Sequence, residues 1–271
     1  MLKARVITAI IVILILVPAI LWGGAPAVAA LVALFSGIAA WELTRNLDDI
    51  KTPPGNHLTI VLGLAVVVSF YYLPLRAVPA AIVFMPLTIL LIHLFLYNLI
   101  QKTVPSAAEM TFVIGYEVIP LSHAILLARL DYGAAWVLFV LVVICLGDAG
   151  AYFAGKYYGK HKFSSNVSPS KTLEGLVGGI AGNFLGMLVM EVAAPGLPGI
   201  GVLAPLTLIL AVLSPLGDLC ASALKRRLGI KDFGGVLPGH GGVMDRADSL
   251  IFGFPVAYYF IVGTGAVVLS S

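Results

Sequence analysis

Nine runs of apolar residues, each long enough to cross a bilayer as a helix, constrain this chain more than any other feature. They fall at 6–22, 25–43, 57–73, 78–100, 110–130, 132–155, 169–193, 199–220 and 249–269. A crossing helix needs about 20 residues for a hydrocarbon core of about 30 Å, with tilt absorbing differences in length. Helix is the only sensible structure for these runs, because backbone groups in lipid must pair within their own segment. Nine spans consume about 180 positions, so the membrane bundle itself must carry the function. Composition agrees. Only 11% of residues are charged, against about 25% in soluble domains, which excludes an ordinary cytosolic enzyme, a disordered tail or a fibrous protein. The expected fold class is all-α, a polytopic integral membrane helix bundle. It forms a single membrane domain over 1–271, with N-terminal helices in 1–130 and a catalytic half in 131–271.

Lys and Arg set the orientation, since cytoplasmic loops carry an excess of them. With the N-terminus inside, Lys3, Arg5, Arg45, Lys51, Lys102, Lys156, Lys160, Lys162, Lys171, Lys225, Arg226, Arg227, Lys231 and Arg246 face the cytoplasm. Only Arg76 and Arg129 fall outside, a split of 14 to 2 among the 16 basic residues. Inverting the chain or dropping one span spoils that asymmetry, so the N-terminus is expected inside and the C-terminus outside. Trp22, Trp41 and Trp136 fall near span ends, where interfacial aromatics gather. Lys3, Arg5 and Ala27-Val28-Ala29 imitate a cleavable secretory signal. The long apolar run, Pro26 before the cut and the span that follows at once favour retention. Cys145 and Cys220 read as small buried hydrophobes rather than a redox pair.

Two cytoplasmic connections stand apart from the rest. Segments 147–175 (GDAGAYFAGKYYGKHKFSSNVSPSKTLEG) and 217–249 (GDLCASALKRRLGIKDFGGVLPGHGGVMDRADS) together hold six of the thirteen carboxylates: Asp148, Glu174, Asp218, Asp232, Asp245 and Asp248. They also hold nine of the sixteen Lys and Arg. Asp148 and Asp218 each follow a glycine near the inner end of a span. A carboxylate there is unfavourable without a polar cavity or a partner, so function is the default reading and a structural ion pair the rival. For Glu117 and Glu191, a helix–helix hydrogen bond or an interfacial position is at least as good an account.

Pro238-Gly239-His240-Gly241-Gly242 is too glycine-dense for a helix and suits close approach of backbone amides to an anion. Asp248 or Ser249 can cap the last span, whose N-terminus favours phosphate. Ser168 with Pro169 reads as another helix start. That places Lys171 in a first turn, where a cation opposes the helix dipole and an anion would account for it. The basic cluster Lys225, Arg226, Arg227 and Lys231 has a plainer reading as lipid-headgroup attraction. Interleaved carboxylates weigh against that. Asp218 and Asp245 suit Mg²⁺, which commonly takes one or two carboxylates plus substrate phosphates, and the basic side chains suit the phosphates. His240 reads as a phosphate contact or an acid–base group. There is no room for a nucleic-acid reading domain, and no GxxxxGK[ST], HExxH or GxSxG motif is present. Gly178-Gly179-Ile180-Ala181-Gly182 lies within a span and favours close helix packing. The residues by themselves point to a membrane enzyme with a cytoplasmic Mg²⁺–polyphosphate site.

From Ser222 to Asp248 the chain reads SALKRRLGIKDFGGVLPGHGGVMDRAD, which closely resembles the signature of phosphatidate cytidylyltransferases, the CDP-diacylglycerol synthases. The matching positions are Ser222, Lys225, Arg226, Lys231, Asp232, Gly234, Pro238, His240, Gly241, Gly242, Asp245, Arg246 and Asp248. Gly217-Asp218 and the earlier segment 147–175 resemble that family too. Ala221 stands where members often carry Glu, and Ala247 replaces a bulkier apolar residue. The resemblance implies that CTP and phosphatidic acid become CDP-diacylglycerol and pyrophosphate, by direct attack of the lipid phosphate on the α-phosphorus. It implies catalytic roles for Asp218, Asp245, Lys225 and His240, and Mg²⁺ on Asp218 and Asp245, with Asp148 joining the metal or orienting a basic partner. Lys171, Ser222, Arg226, Lys231, Gly241, Gly242 and Arg246 would bind substrate phosphates. A second cation and a homodimer are further expectations, as is a bacterial inner membrane with the active site facing the cytoplasm. The rivals are a CTP-dependent polyprenol or phytol kinase and a secondary transporter. Crowding of charge on one face and the lack of an internal repeat disfavour the transporter.

Overall fold

The computed structural model describes residues 2–51, 55–74, 77–97, 100–162, 168, 170–236 and 241–266, which are helical with no strand. In chain order the helices are α1 (Leu2–Thr44), α2 (Gly55–Tyr72), α3 (Val78–Tyr97), α4 (Ile100–Val113), α5 (Ile119–Ala128) and α6 (Gly133–Tyr158). They continue with α7 (Leu173–Ala193), α8 (Ile200–Arg227), α9 (Met244–Ala247) and α10 (Leu250–Gly263). Among the described residues, six helical stretches are long and apolar enough to cross a membrane: Ile11–Thr44, Gly55–Tyr72, Val104–Ala128, Gly133–Tyr158, Leu173–Ala193 and Ile200–Arg227. Val78–Ile92 and α10 are apolar but shorter.

The first two expected spans run as one element, α1, broken at Gly24 (φ 56°, ψ −151°). That backbone region is essentially reserved for glycine, and Pro26 close by cannot donate to the preceding turn. The expected span 110–130 is reached through α4 and a π-turn over Ile114–Val118. Pro120, which follows at once, offers no N–H to the turn before it, and a wider turn accommodates its ring.

α6 and α7 pack along glycines on both helices. A Cβ on Gly150 would run into the carbonyl oxygen of Gly178, one on Gly178 into Ala154, and one on Gly182 into the carbonyl of Leu146. Small residues let backbones approach this closely, which is how helices associate where lipid removes the hydrophobic drive. The close-packing reading of Gly178 to Gly182 therefore holds. Elsewhere one apolar core runs from Ile20 in α1 to Ile261 in α10. Arg129 ties α5 to the end of α2 by donating from Nη1 to the carbonyls of Phe70 (2.9 Å) and Leu73 (3.0 Å).

Four expectations need correction. α7 begins at Leu173, and its cap is Thr172, whose Oγ1 accepts the Gly175 N–H at 3.0 Å. Lys171 therefore precedes the helix instead of sitting in its first turn. α8 continues to Arg227, which makes Lys225–Arg227 helical and leaves Asp218 well inside the helix. Cys145 and Cys220 are free, as expected, but exposed. Trp136 is fully buried, while Trp22 is 84% exposed beside the Gly24 break. The last two share a cause: a span apolar on every side carries no periodicity to tell the protein-facing from the outward face.

Candidate active site

Asp218, Ser222 and Lys225 are spaced four and three residues apart on α8, which puts them on one face of the helix. Ser222 Oγ donates to Asp218 Oδ1 at 3.3 Å. Lys171 reaches across from the segment before α7, with its Nζ 2.9 Å from Asp218 Oδ2 and donating to the Pro215 carbonyl at 2.9 Å. Lys225 pairs with a different carboxylate, its Nζ 2.8 Å from Asp245 Oδ1. The glycine before each span carboxylate allows the crowding. A Cβ on Gly217 would strike the backbone of Asp248, and one on Gly147 would strike the side chain of Asn183.

Between these elements lies a cavity of about 560 Å³. Asp148, Asp218, Asp245 and Asp248 line it, and so do Lys171, Lys225 and Arg246. It thus gathers residues that the sequence places up to 100 positions apart. Asp232, Tyr152 and Lys156 also line it. Lys156 sits over two tyrosine rings, 5.7 Å from Tyr152 and 5.6 Å from Tyr157. Arg226 and Lys231 are exposed and do not line the cavity. His240, with Pro238 and Gly239, lies outside the described residues. Gly242 contributes its N–H to Asp245, and Gly241 adopts φ 84° against the same carboxylate. Glu174 turns away from the cavity. It accepts the N–H of Lys160 and pairs with His161 Nδ1 at 2.6 Å, closing the base of the α6–α7 connection.

The two carboxylates expected to hold a cation differ. Asp245 is 5% exposed, with Oδ2 accepting the N–H groups of Phe233 and Gly242 at 3.0 Å each and Oδ1 taken by Lys225. A carboxylate has about four lone-pair sites, so Asp245 retains one, shared with Lys225. Asp218 keeps more spare capacity and stands more open. Among the described residues no three ligating side chains form a preset metal cluster. Burial, and then the Asp218 charge, push the Asp248 carboxyl up from its ordinary 3.8 to about 7.

One contributor was invisible in the sequence reading. Glu42, on α1, is buried and its Oε2 accepts the Met244 N–H at 3.0 Å. It lies inside an apolar run some two hundred positions upstream, and no local pattern ties it to the signature.

Comparison with known proteins gives a consistent result. A profile described as "Cytidylyltransferase family" matches residues 3–263. The chain is 31% identical over 265 residues to a phosphatidate cytidylyltransferase of Staphylococcus epidermidis, covering 97% of this chain and 100% of that protein. It is 30% identical over 263 residues to one of Staphylococcus aureus, covering 96% and 99%. A protein of the same name from Staphylococcus saprophyticus is 30% identical over 266 residues, with 96% and 99% covered.

Proposed function

Because this chain belongs to the cytidylyltransferase family, we propose that it is a membrane enzyme converting CTP and phosphatidic acid into CDP-diacylglycerol and pyrophosphate. An oxygen of the lipid phosphate attacks the α-phosphorus of CTP, the bond to the β-phosphate oxygen breaks, and pyrophosphate leaves with the electron pair. The observation that carries the reading is the cavity itself, which five carboxylates and four cations line together. Two anions must meet there, so placing opposing charge is the main task.

Lys225 and Arg246 hold the triphosphate from the signature side. Lys225 is kept in place by Asp245, and an ammonium has donors to spare after one such bond. Lys171, in a more open pair with Asp218, can turn toward the lipid phosphate, and Lys156 between its tyrosines stands at the same cavity. Asp218, with Asp148 and Asp248 alongside and Asp245 through its remaining lone pair, has the oxygen chemistry for Mg²⁺. Bound there, that ion would neutralise the reacting phosphates and the departing pyrophosphate. Ser222 orients Asp218, and His240, Arg226 and Lys231 are assigned to phosphate contacts on the resemblance alone.

In this reading the chain crosses the inner membrane of a bacterium nine times. The broken α1 counts as two crossings, and α3 and α10 are short ones. The Lys and Arg distribution favours a cytoplasmic N-terminus and site, and an outward C-terminus. The protein acts as a homodimer.

Label position tests the reaction. Purified protein given phosphatidic acid and CTP labelled in cytosine is expected to yield labelled lipid, whereas γ-phosphate label stays in pyrophosphate. The reverse pattern with a lipid alcohol would make it a kinase, and no labelled lipid in either case would discard the transferase.

A further inference from the structure

Glu42 belongs to the far end of α1 from the N-terminus, is 1% exposed and does not line the large cavity. A buried carboxylate in so apolar a chain is costly unless it has a task. Its oxygens fill the space that two signature glycines leave open. A Cβ on Gly234 would overlap Oε1, and one on Gly242 would lie 2.5 Å from Oε2. One turn further on, Asn46 Nδ2 donates to the Phe233 carbonyl at 3.2 Å and to the Glu42 carbonyl at 2.8 Å. Asp245 grips the same two stretches from the opposite side, through the N–H groups of Phe233 and Gly242. Phe233 is therefore held between Asn46 and Asp245, and the 242–244 stretch between Asp245, at the Gly242 N–H, and Glu42, at the Met244 N–H, while Asp245 in turn holds Lys225.

We propose that Glu42 is a positioning residue for the transfer. With Asn46, it clamps 233–236 against 241–244 so that Asp245 presents Lys225 to the CTP phosphates. The inference rests on the transferase reading for its kinetic consequence, but not for the clamp. Gly234 and Gly242 are glycine because Glu42 occupies their side-chain space. Oε1 has no hydrogen-bond partner among the described residues, so a single acceptor is in use and glutamine can supply it.

The test uses full-length protein in detergent. Glu42→Ala, Glu42→Gln and Gly242→Ala are compared by amide hydrogen exchange over 241–247 and by KM for each substrate. Glu42→Ala is expected to speed exchange over 241–247 and to lower kcat/KM about 100-fold, the scale of a ~1 Å misplacement. The rise is expected in KM for CTP, with KM for phosphatidic acid unchanged. Glu42→Gln keeps exchange near wild type and activity within about tenfold. Should Glu42→Ala not fold, Gly242→Ala, whose methyl meets Oε2, is expected to reproduce the faster exchange. Unchanged exchange, equal damage from Gln and Ala, or a loss of kcat alone would each overturn the proposal. Wild type that makes no CDP-lipid would sink the transferase reading, and the exchange comparison would still decide the clamp.

Discussion

Asp245 and Asp218 look alike in sequence, yet they hold different positions energetically. Asp245 is buried and faces Lys225, whose side chain is only 15% exposed. Removing one partner of such a pair costs about 3–5 kcal/mol, because the other is left uncompensated. Asp245→Asn is therefore expected to lower the melting temperature and abolish activity together. The Asp218–Lys171 pair is more open, where ion pairs contribute about 0–1 kcal/mol. Asp218→Asn is expected to keep its melting temperature and still lose about 10²–10³ in kcat/KM, the scale of one lost electrostatic contact in the transition state. Equal melting temperatures for the two variants would contradict this division of labour. Asp248 adds a pH signature. Its carboxyl sits at about 7 in the folded protein, against 3.8 ordinarily. The folded state thus binds the extra proton between those values, and stability falls as pH rises from about 4 to 7 before levelling off. Thermal melts in EDTA across that window are expected to slope downward for wild type and less steeply in Asp248→Asn.

Helices α6 and α7 carry half of the site on a glycine interface, so the site's geometry depends on that contact. Gly178→Ala forces a methyl into Ala154 and the Gly150 carbonyl, and overpacking of this kind typically costs about 1–3 kcal/mol. Gly201 in α8 has nothing within 4 Å of a would-be Cβ, and Gly201→Ala is expected to be neutral or slightly stabilising, as alanine favours helix. Matching losses at both positions would show that the α6–α7 contact is not what Gly178 provides. At this scale the sequence was legible where spacing carried the signal. The glycine run 178–182 was legible in this way, whereas the shared face of Asp218, Ser222 and Lys225 was not, because the expected span ended at 220 and left Ser222 and Lys225 outside the helix. Helix starts were less so: Ser168-Pro169 and Thr172 are both good start signals, and the tie between 160–162 and 172–174 favours the later one. Buried Trp136 and exposed Cys145 were unreadable, because an apolar helix gives no polar face to orient it.

Across the whole molecule, the cavity joins residues from α6, the start of α7, α8 and the signature, all within recognisable motifs, while Glu42 of α1 stands behind them outside any motif. Glu42 escaped notice because its partner is a backbone N–H about two hundred positions away, a contact that leaves no trace in either local sequence. The membrane arrangement is testable at the same scale. With Cys145 and Cys220 replaced, single cysteines at Lys51 and Lys231 are expected to react with impermeant thiol reagent only from the cytoplasmic side, and one at Tyr132 only from the outside. Labelling of Tyr132→Cys from the cytoplasm would break the nine-span topology. Most directly, cytidine transfer from CTP to phosphatidic acid can be measured with purified protein in Mg²⁺, in EDTA, and in Asp218→Asn. The account predicts CDP-diacylglycerol that requires Mg²⁺ and is lost in the well-folded variant. Full transfer by Asp218→Asn, or in EDTA, would contradict the assignment of the chemistry to this cavity.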